Sequence, residues 1–491
     1  MKHFITLTLV ILSCLFATAQ TRHVKIVAVN DMHANLKSMP RLAALVDSLR
    51  TVDPHLILLS AGDNRTGNPY NDKYEHTGYP MTALMNKIGF NATAIGNHEF
   101  DGRHDGLRYI INNSRFKHLC ANVNIDDTCR LHIFPYTFLD VDGVKIGIIG
   151  SIQINAHHIP DSHPNNLSGM SFHPIDSILP SYQWMRSQCD VLVLLSHDGY
   201  ETNLDTAEKY PWIDVILGGH SHTLMQDNFF HNGVLITQAK SKLSHVAIVD
   251  IEVDKEQSST VQPHNRTTAK PHNRKSQIFP LSTFSKENAE ISQMVADYYN
   301  NPEMKKTLTT VASPFQTQEE LGNMEMDALV AMTGADIAIQ NGGGVRYATF
   351  PVGNFTKGDL LELDPFGNNA VVYNLTGKEV ADFIMNCYEL DEKQPVFVSG
   401  ITYEMNVRKG TRKDSTHPLS ITIKDKNGKP LSHDKTYKVV TNSYVSSIIT
   451  TVDKSRGTDL NISCSDLTEQ WLRKQPSLNY TGTTRARLHF K

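Results

Sequence analysis

Val215-Ile216-Leu217-Gly218-Gly219-His220-Ser221-His222 is a short apolar run that breaks into two glycines and then offers two imidazoles. Too short for a helix and bounded by glycine, the run reads as a buried strand whose end turns sharply. Four earlier runs end in the same manner. Residues 24–29 precede Asp31-Met32-His33, 56–60 precede Gly62-Asp63, 92–95 precede Gly96-Asn97-His98, and 191–195 precede Ser196-His197-Asp198. Taken singly each ending is ordinary, since Gly-Asp is a common turn and Asn97-His98-Glu99 has the composition of a helix cap. Five in succession, each just past a strand, point to a shared metal centre.

The donor types narrow the chemistry. Residues two apart share a face of a strand, so Asp31 and His33 can converge on one ion. Asp63 offers a carboxylate able to bridge two ions, Asn97 a neutral amide oxygen, and His197, His220 and His222 imidazoles. Mixed nitrogen and oxygen ligands suit Zn, Mn, Co or Fe better than Ca or Mg, so two divalent ions of that group are the expected cofactors. Two such ions would supply a hydroxide at neutral pH and neutralise the oxygens of an attacked phosphate. His98 then stabilises the transition state or protonates the leaving oxygen, and Asp101 orients its ring. His157, His158 and His163 fall outside the pattern and are expected to be solvated.

Around these endings, strands alternate with helical patterns at 40–49 and 80–88, which predicts an α/β layered domain. Between 254 and 277 the composition turns to Lys, Gln, Ser, Thr and Asn, and Pro-His-Asn-Arg occurs twice, at Pro263 and Pro271. This segment reads as a solvated loop between two strands. A helix over 285–299 follows as connector. The remainder mixes helices, such as 323–332, with a hairpin signal at Asp425-Lys426-Asn427-Gly428-Lys429 between strands at 421–423 and 437–440, and reads as a separate α+β domain.

Composition sets the outer bounds. A chain of 491 residues exceeds one ordinary core, and 40% hydrophobic with 20% charged residues fits a soluble protein of two domains. The net charge of -4 argues against a nucleic-acid polymer as partner and for a small molecule. Lys2 and His3, an apolar run over 4–16, and Ala17-Thr18-Ala19 read as an export signal over residues 1–19, placing the protein in a periplasm or outside the cell. Ile11-Leu12-Ser13-Cys14 supports a second reading, a lipid anchor at Cys14. No apolar stretch closes the chain, so neither a glycolipid anchor there nor a transmembrane segment is expected. The remaining cysteines, 120, 129, 189, 387 and 464, form no disulfide framework. Cys120 and Cys129 are near enough to pair, with free buried thiols the favoured state. Nothing in the sequence fixes an oligomeric state.

With these residues in view, the chain resembles the exported 5′-nucleotidases, in which a calcineurin-like metallophosphoesterase domain is joined to a 5′-nucleotidase C-terminal domain. Leu321-Gly322-Asn323-Met324-Glu325-Met326-Asp327-Ala328-Leu329, Asn341-Gly342-Gly343-Gly344-Val345-Arg346 and Asp364-Pro365-Phe366-Gly367-Asn368 resemble signatures of that second domain. The resemblance implies a four-layer β-sandwich flanked by helices over 20–283, a connecting helix or linker over 284–310, and a smaller α+β substrate-binding domain over 311–491. It also implies that Asp31, His33, Asp63 and His222 hold one ion and Asp63, Asn97, His197 and His220 the other, with His98 and Asp101 as catalytic dyad. Independently of family, three glycines let a backbone approach a ligand and an arginine fork matches a phosphate, so Asn341, Gly343 and Arg346 are candidate phosphate contacts.

The base-binding side departs from the family. Pro395 stands where the first stacking ring belongs, and Phe397 shares its face two residues on. After Asn442 the second ring is replaced by Ser443, with Tyr444 offset by one and Gly-Gly-Asp-Gly absent. Phe397 and Tyr444 are the expected substitutes, and base selectivity is expected to weaken, a stack being worth roughly 1–3 kcal/mol per base. The expected activity is release of nucleoside and phosphate from 5′-nucleotides. The alternative is hydrolysis of 2′,3′-cyclic nucleotides, nucleotide sugars or polyphosphates on the same scaffold, and the rival class is a non-catalytic ligand-binding protein.

Overall fold

The computed structural model describes residues 19–256, 271–391, 393–412 and 415–491. Residues 1–18, with Cys14 and most of the expected export signal, and the Pro263 tetrapeptide lie outside the described residues.

The first half is built on two six-stranded sheets. One runs Pro271–Pro280, His245–Glu256, Ala19–Val29, Ile57–Ser60, Ala92–Ala94, Lys117–Leu119; the other runs Phe230–His231, Val234–Thr237, Val215–Gly218, Val191–His197, Val144–Ile152, Tyr136–Val141. Alternation along each strand decides the layers. Ile26, Ala28, Ile57 and Leu59 from one sheet meet Ile146, Ile148, Val193 and Leu195 from the other in a shared core. The intervening residues face outward: Val27, Val29 and Leu58 pack under helices Met39–Arg50 and Tyr79–Ile88, and Leu192, Leu194 and Ile216 under Tyr200–Lys209 and its neighbours. Strands covered on both faces are apolar throughout, which is why they read as unbroken hydrophobic runs. The result is the expected four-layer arrangement of helix, sheet, sheet, helix.

The central strands are parallel: Ile26 pairs with Ile57, Leu59 with Ala92, and Val215 with Val193. Their carboxyl ends therefore lie along one edge, where crossover loops leave a crevice.

The second half holds a five-stranded sheet, Phe397–Ser399, Ile337–Gln340, Thr436–Asn442, Asn369–Thr376, Thr458–Ser463, and a three-stranded one, His417–Asp425, Ile401–Arg408, Ala486–Phe490. Helices Gln318–Thr333, Lys357–Leu363 and Gly377–Leu390 each start at a threonine whose hydroxyl and an acid three residues on complete a capping box.

Two expectations need correction. The Asp425 turn forms, Gly428 N–H donating to the Asp425 carbonyl at 2.9 Å, yet the flanking strands are not a hairpin. His417–Asp425 pairs with Ile401–Arg408, while Thr436–Asn442 enters the middle of the five-stranded sheet. Tyr437, Val439, Val440 and Thr441 of that strand are all buried, and burial on both faces outweighs the local turn signal. The polar stretch 254–277 is likewise less loop than expected, since ladder pairing runs to Glu256 and resumes at Pro271. Cys120 and Cys129 are buried free thiols.

Leu195 is fully buried between the sheets. Leu195→Ala should cost about 2–5 kcal/mol of unfolding free energy in denaturant melts; a loss under about 0.5 kcal/mol would show that the sheets do not share a core.

Candidate metal centre and substrate cavity

Five loop residues at the strand ends occupy left-handed backbone: Asp31 (φ 48°), His33 (44°), Asp63 (53°), His220 (70°) and His222 (51°). For residues other than glycine this costs on the order of 1 kcal/mol each or more, and such strain persists only where the surroundings enforce it. It turns the side chains back over the sheet edge, toward one another.

Three overlapping groups bring candidate ligand atoms within 4.8 Å of one another: Asp31, His33 and His222; Asp31, Asp63 and His197; His33, Asp63 and His98. Asp31, Asp63, His33 and His197 are almost fully buried. His33 and His222 present their Nε2 atoms to each other at 2.9 Å, and His222 Nε2 lies 3.4 Å from Asp31. His197 Nε2 lies 3.2 Å from both Asp63 and the Asn97 amide oxygen, which His220 Nδ1 also meets at 3.1 Å.

Backbone groups fix the rings. His197 Nδ1–H donates to the Ala61 carbonyl at 2.6 Å and His33 Nδ1–H to that of Thr66 at 3.2 Å, which leaves each Nε2 for the cluster. Glu99 holds the loops: its carboxylate accepts N–H bonds from Asp63 at 3.0 Å, Asn64 at 2.8 Å and Gly96 at 2.7 Å. Gly96 is required where it stands, because a Cβ there would lie 2.2 Å from the Asp63 carboxylate.

The electrostatics call for a cation. Burial works to lower the His197 imidazole, yet the facing Asp63 outweighs it and pushes it up to about 10. Asp63, which burial alone would raise, is held well below the usual carboxylate range by His197 and His98. His33 moves the other way: burial and then Arg346 depress it well below the ordinary histidine value. The buried Asp63 carboxylate thus favours positive charge on His197, while His33 is held to its neutral form and His222 Nε2 closes the cluster against Asp31. Such a donor set fits divalent metal.

Beside it, His98 Nδ1 donates to Asp101 at 2.8 Å and its main-chain N–H to Asp63 at 2.9 Å. Burial opposes its protonation, but Asp63 and Asp101 overcome that and raise it. The cluster forms the floor of a cavity of about 340 Å³ whose far wall belongs to the second half of the chain. Arg346 reaches across with Nη2 3.3 Å from His33 Nε2, and its guanidinium lies 5.8 Å from the Phe366 ring centroid. Phe366 in turn stacks on His98 with centroids 5.8 Å apart.

Of the expected substrate contacts, Arg346, Asn341, Gly343 and Tyr444 line the cavity. The Asn341 amide and the Gly343 N–H both donate to Asp391, at 3.0 and 2.9 Å, so that carboxylate shapes the glycine loop. Phe397 is misplaced by the sequence reading. It is 2% exposed, packs in the core and lies against Gly322, where a Cβ would come within 2.4 Å of its ring. The strand alternation that puts Phe397 on the face of Pro395 does not open that face to the cavity. His163 is corrected in the opposite sense: together with Asp161 it lines the cavity, although His157 and His158 are exposed as expected. Sequence reasoning missed Asp161 and His163 because they sit nine and eleven residues beyond the strand Val144–Ile152, on an irregular loop and not at the strand's end, and gave Phe366 no role although its motif stood out.

The calcineurin-like phosphoesterase family matches residues 24–224, and the 5′-nucleotidase C-terminal domain family residues 300–449. Among curated proteins the chain is 28% identical over 471 residues to the trifunctional nucleotide phosphoesterase YfkN of Bacillus subtilis, covering 85% of this chain but only 31% of that protein. It is 24% identical over 496 residues to the 5′-nucleotidase of Bos taurus, covering 88% and 84%. Among solved structures, the 5′-nucleotidase precursor from Thermus thermophilus superposes with a TM-score of 0.80 at 24% identity, covering 95% of this chain and 99% of that one, and supports the fold.

Glu99→Ala should leave three buried N–H groups unpaired and lower metal affinity by about 10–100-fold, measured by competition with a chelating dye; unchanged affinity would show that Glu99 does not organise the centre. Phe397→Ala should cost about 3–5 kcal/mol of stability and leave the Michaelis constant within about twofold; the reverse pattern would return Phe397 to the substrate site.

Proposed function

Since the chain belongs to the family that joins a calcineurin-like phosphoesterase domain to a 5′-nucleotidase C-terminal domain, we propose that it is a metal-dependent phosphohydrolase releasing nucleoside and phosphate from 5′-nucleotides. The observation that carries this reading is the convergence of the buried imidazole and carboxylate cluster with Arg346 across one cavity. Asp31, His33, Asp63 and His222 would hold one divalent ion, and Asp63, Asn97, His197 and His220 a second, of the Zn, Mn, Co or Fe group. When bound, such ions supply Lewis-acid charge to a phosphoryl group and lower the pKa of water.

The residues of the chain do the rest. Arg346 clamps the phosphoryl oxygens through its planar fork. Asp101 holds His98 Nδ1–H, so that Nε2 is the nitrogen that passes a proton to the leaving oxygen. Tyr444 lines the same cavity and would meet the nucleoside. The burial of Phe397 favours a second, broader reading as well: with only Tyr444 of the two expected rings on the cavity, nucleotide sugars and cyclic nucleotides are further candidate substrates. No helix among the described residues is long and apolar enough to cross a membrane. Export is proposed on the N-terminal sequence alone.

Phosphate release from 5′-nucleotides, cyclic nucleotides, nucleotide sugars and simple phosphomonoesters, with Mn, Co, Zn or chelator, tests the reading. Activity should need metal, be highest on 5′-nucleotides, and fall about 10²–10⁴-fold in His98→Ala. Activity indifferent to chelator or to His98 would overturn it, and silence across the panel would favour a binding role.

A further inference from the structure

Resting on the phosphohydrolase reading above, we infer that Lys242 recognises the second negative charge of a terminal phosphoryl group, and so favours phosphomonoesters over phosphodiesters.

Lys242 follows the strand Val234–Thr237 and belongs to none of the five metal-binding endings. Its loop is nonetheless tied to the centre. The Lys242 main-chain N–H donates to the Asp31 carbonyl at 2.7 Å, and Lys240, Lys242 and Leu243 all adopt left-handed backbone (φ 62°, 53° and 52°). The side chain lines the same cavity, remains accessible to it, and sends its ammonium to the main-chain carbonyl of Arg346 at 3.2 Å.

The Lys242 ammonium, held at the Arg346 carbonyl, and the Arg346 guanidinium, beside His33, thus approach one cavity from opposite halves of the chain, and neither has an ion-pair partner among the described residues. Burial and then Arg346 lower the Lys242 ammonium from the ordinary lysine value, Glu362 opposing them, and Glu362 is itself engaged by the Tyr347 hydroxyl, which donates to it at 2.6 Å. Holding two positive side chains together is unfavourable unless an anion of more than one charge joins them.

Position assigns the contact. The three rings run in a row, His98 to His33 at 5.2 Å and His33 to His222 at 5.0 Å between centroids. His98 with Asp101 marks the leaving-group end. Lys242 is anchored on Asp31, whose carboxylate meets His222 at the opposite end. Its ammonium is held at the carbonyl of Arg346, the residue read above as the phosphoryl clamp, which assigns it to the non-bridging phosphoryl oxygens and not to the ester oxygen that leaves. A terminal phosphoryl group is close to a dianion at neutral pH, its second pKa being about 6, whereas a diester carries one charge and buries one of those oxygens in a second ester bond.

Two substrates sharing a leaving group isolate the effect: p-nitrophenyl phosphate and bis(p-nitrophenyl) phosphate. Lys242→Met should lower kcat/KM for the monoester about tenfold, chiefly through KM, and leave the diester within about twofold, while Lys242→Arg restores the monoester. Calorimetric titration of the metal-loaded protein with inorganic phosphate and with dimethyl phosphate gives a readout free of catalysis: phosphate affinity should fall about tenfold in Lys242→Met and dimethyl phosphate affinity should not. Parallel losses on both substrates and both anions would mean that Lys242 merely latches the halves together, and no loss on either would remove it from the site; both overturn the inference. Lys242-dependent phosphate selectivity in a protein that releases no p-nitrophenol would uphold it and sink the hydrolase reading instead.

Discussion

Asp63 brings a carboxylate that is 2% exposed into contact range of His197, His98 and His33, and the surrounding backbone is bent to keep it there. A buried carboxylate is stable only if positive charge and donors surround it. The cost is met from several sides: the His98 main-chain N–H donates to it, Gly96 leaves room for it, and Glu99 fastens both flanking loops. Parallel strands make this possible, because they deliver Asp31, Asp63, Asn97, His197 and His220 to one edge. The strain of five left-handed residues is then offset by the charges they bring together.

The division of labour between the halves follows from charge. The first half gathers carboxylates and imidazoles, groups that hold cations but repel a phosphate unless metal intervenes. The second half brings an arginine to the Phe366 ring just after a glycine loop held by Asp391, and the first half adds Lys242 to it as a cationic side chain over the cavity. Neither wall alone is a phosphoester site. Phe366 links the two, since the His98 ring and the Arg346 guanidinium each lie 5.8 Å from its ring centroid.

The strands and their ligand-bearing ends were legible because the same physics that makes a doubly covered strand writes an unbroken apolar run ending in a turn. Five such runs located the cluster without any view of the fold. Where long-range pairing decides, local pattern misled: the Asp425-Lys426-Asn427-Gly428 turn is real, but the strand after it belongs to another sheet because its side chains are buried on both faces. Phe397 failed for a similar reason. Period two places it on a face, and only packing against Gly322 shows that this face is core. Asp161 and His163 sit on an irregular loop whose path no periodicity encodes, and Lys242 lacks the signature of a strand ending although its backbone is tied to Asp31.

The central claim is that Asp63 stands between two metal ions. Crystals soaked in Mn²⁺ and measured for anomalous scattering test it directly. The account predicts two peaks flanking the Asp63 carboxylate, one against Asp31, His33 and His222 and the other against Asn97, His197 and His220. A single peak, or two peaks that Asp63 does not bridge, would contradict it.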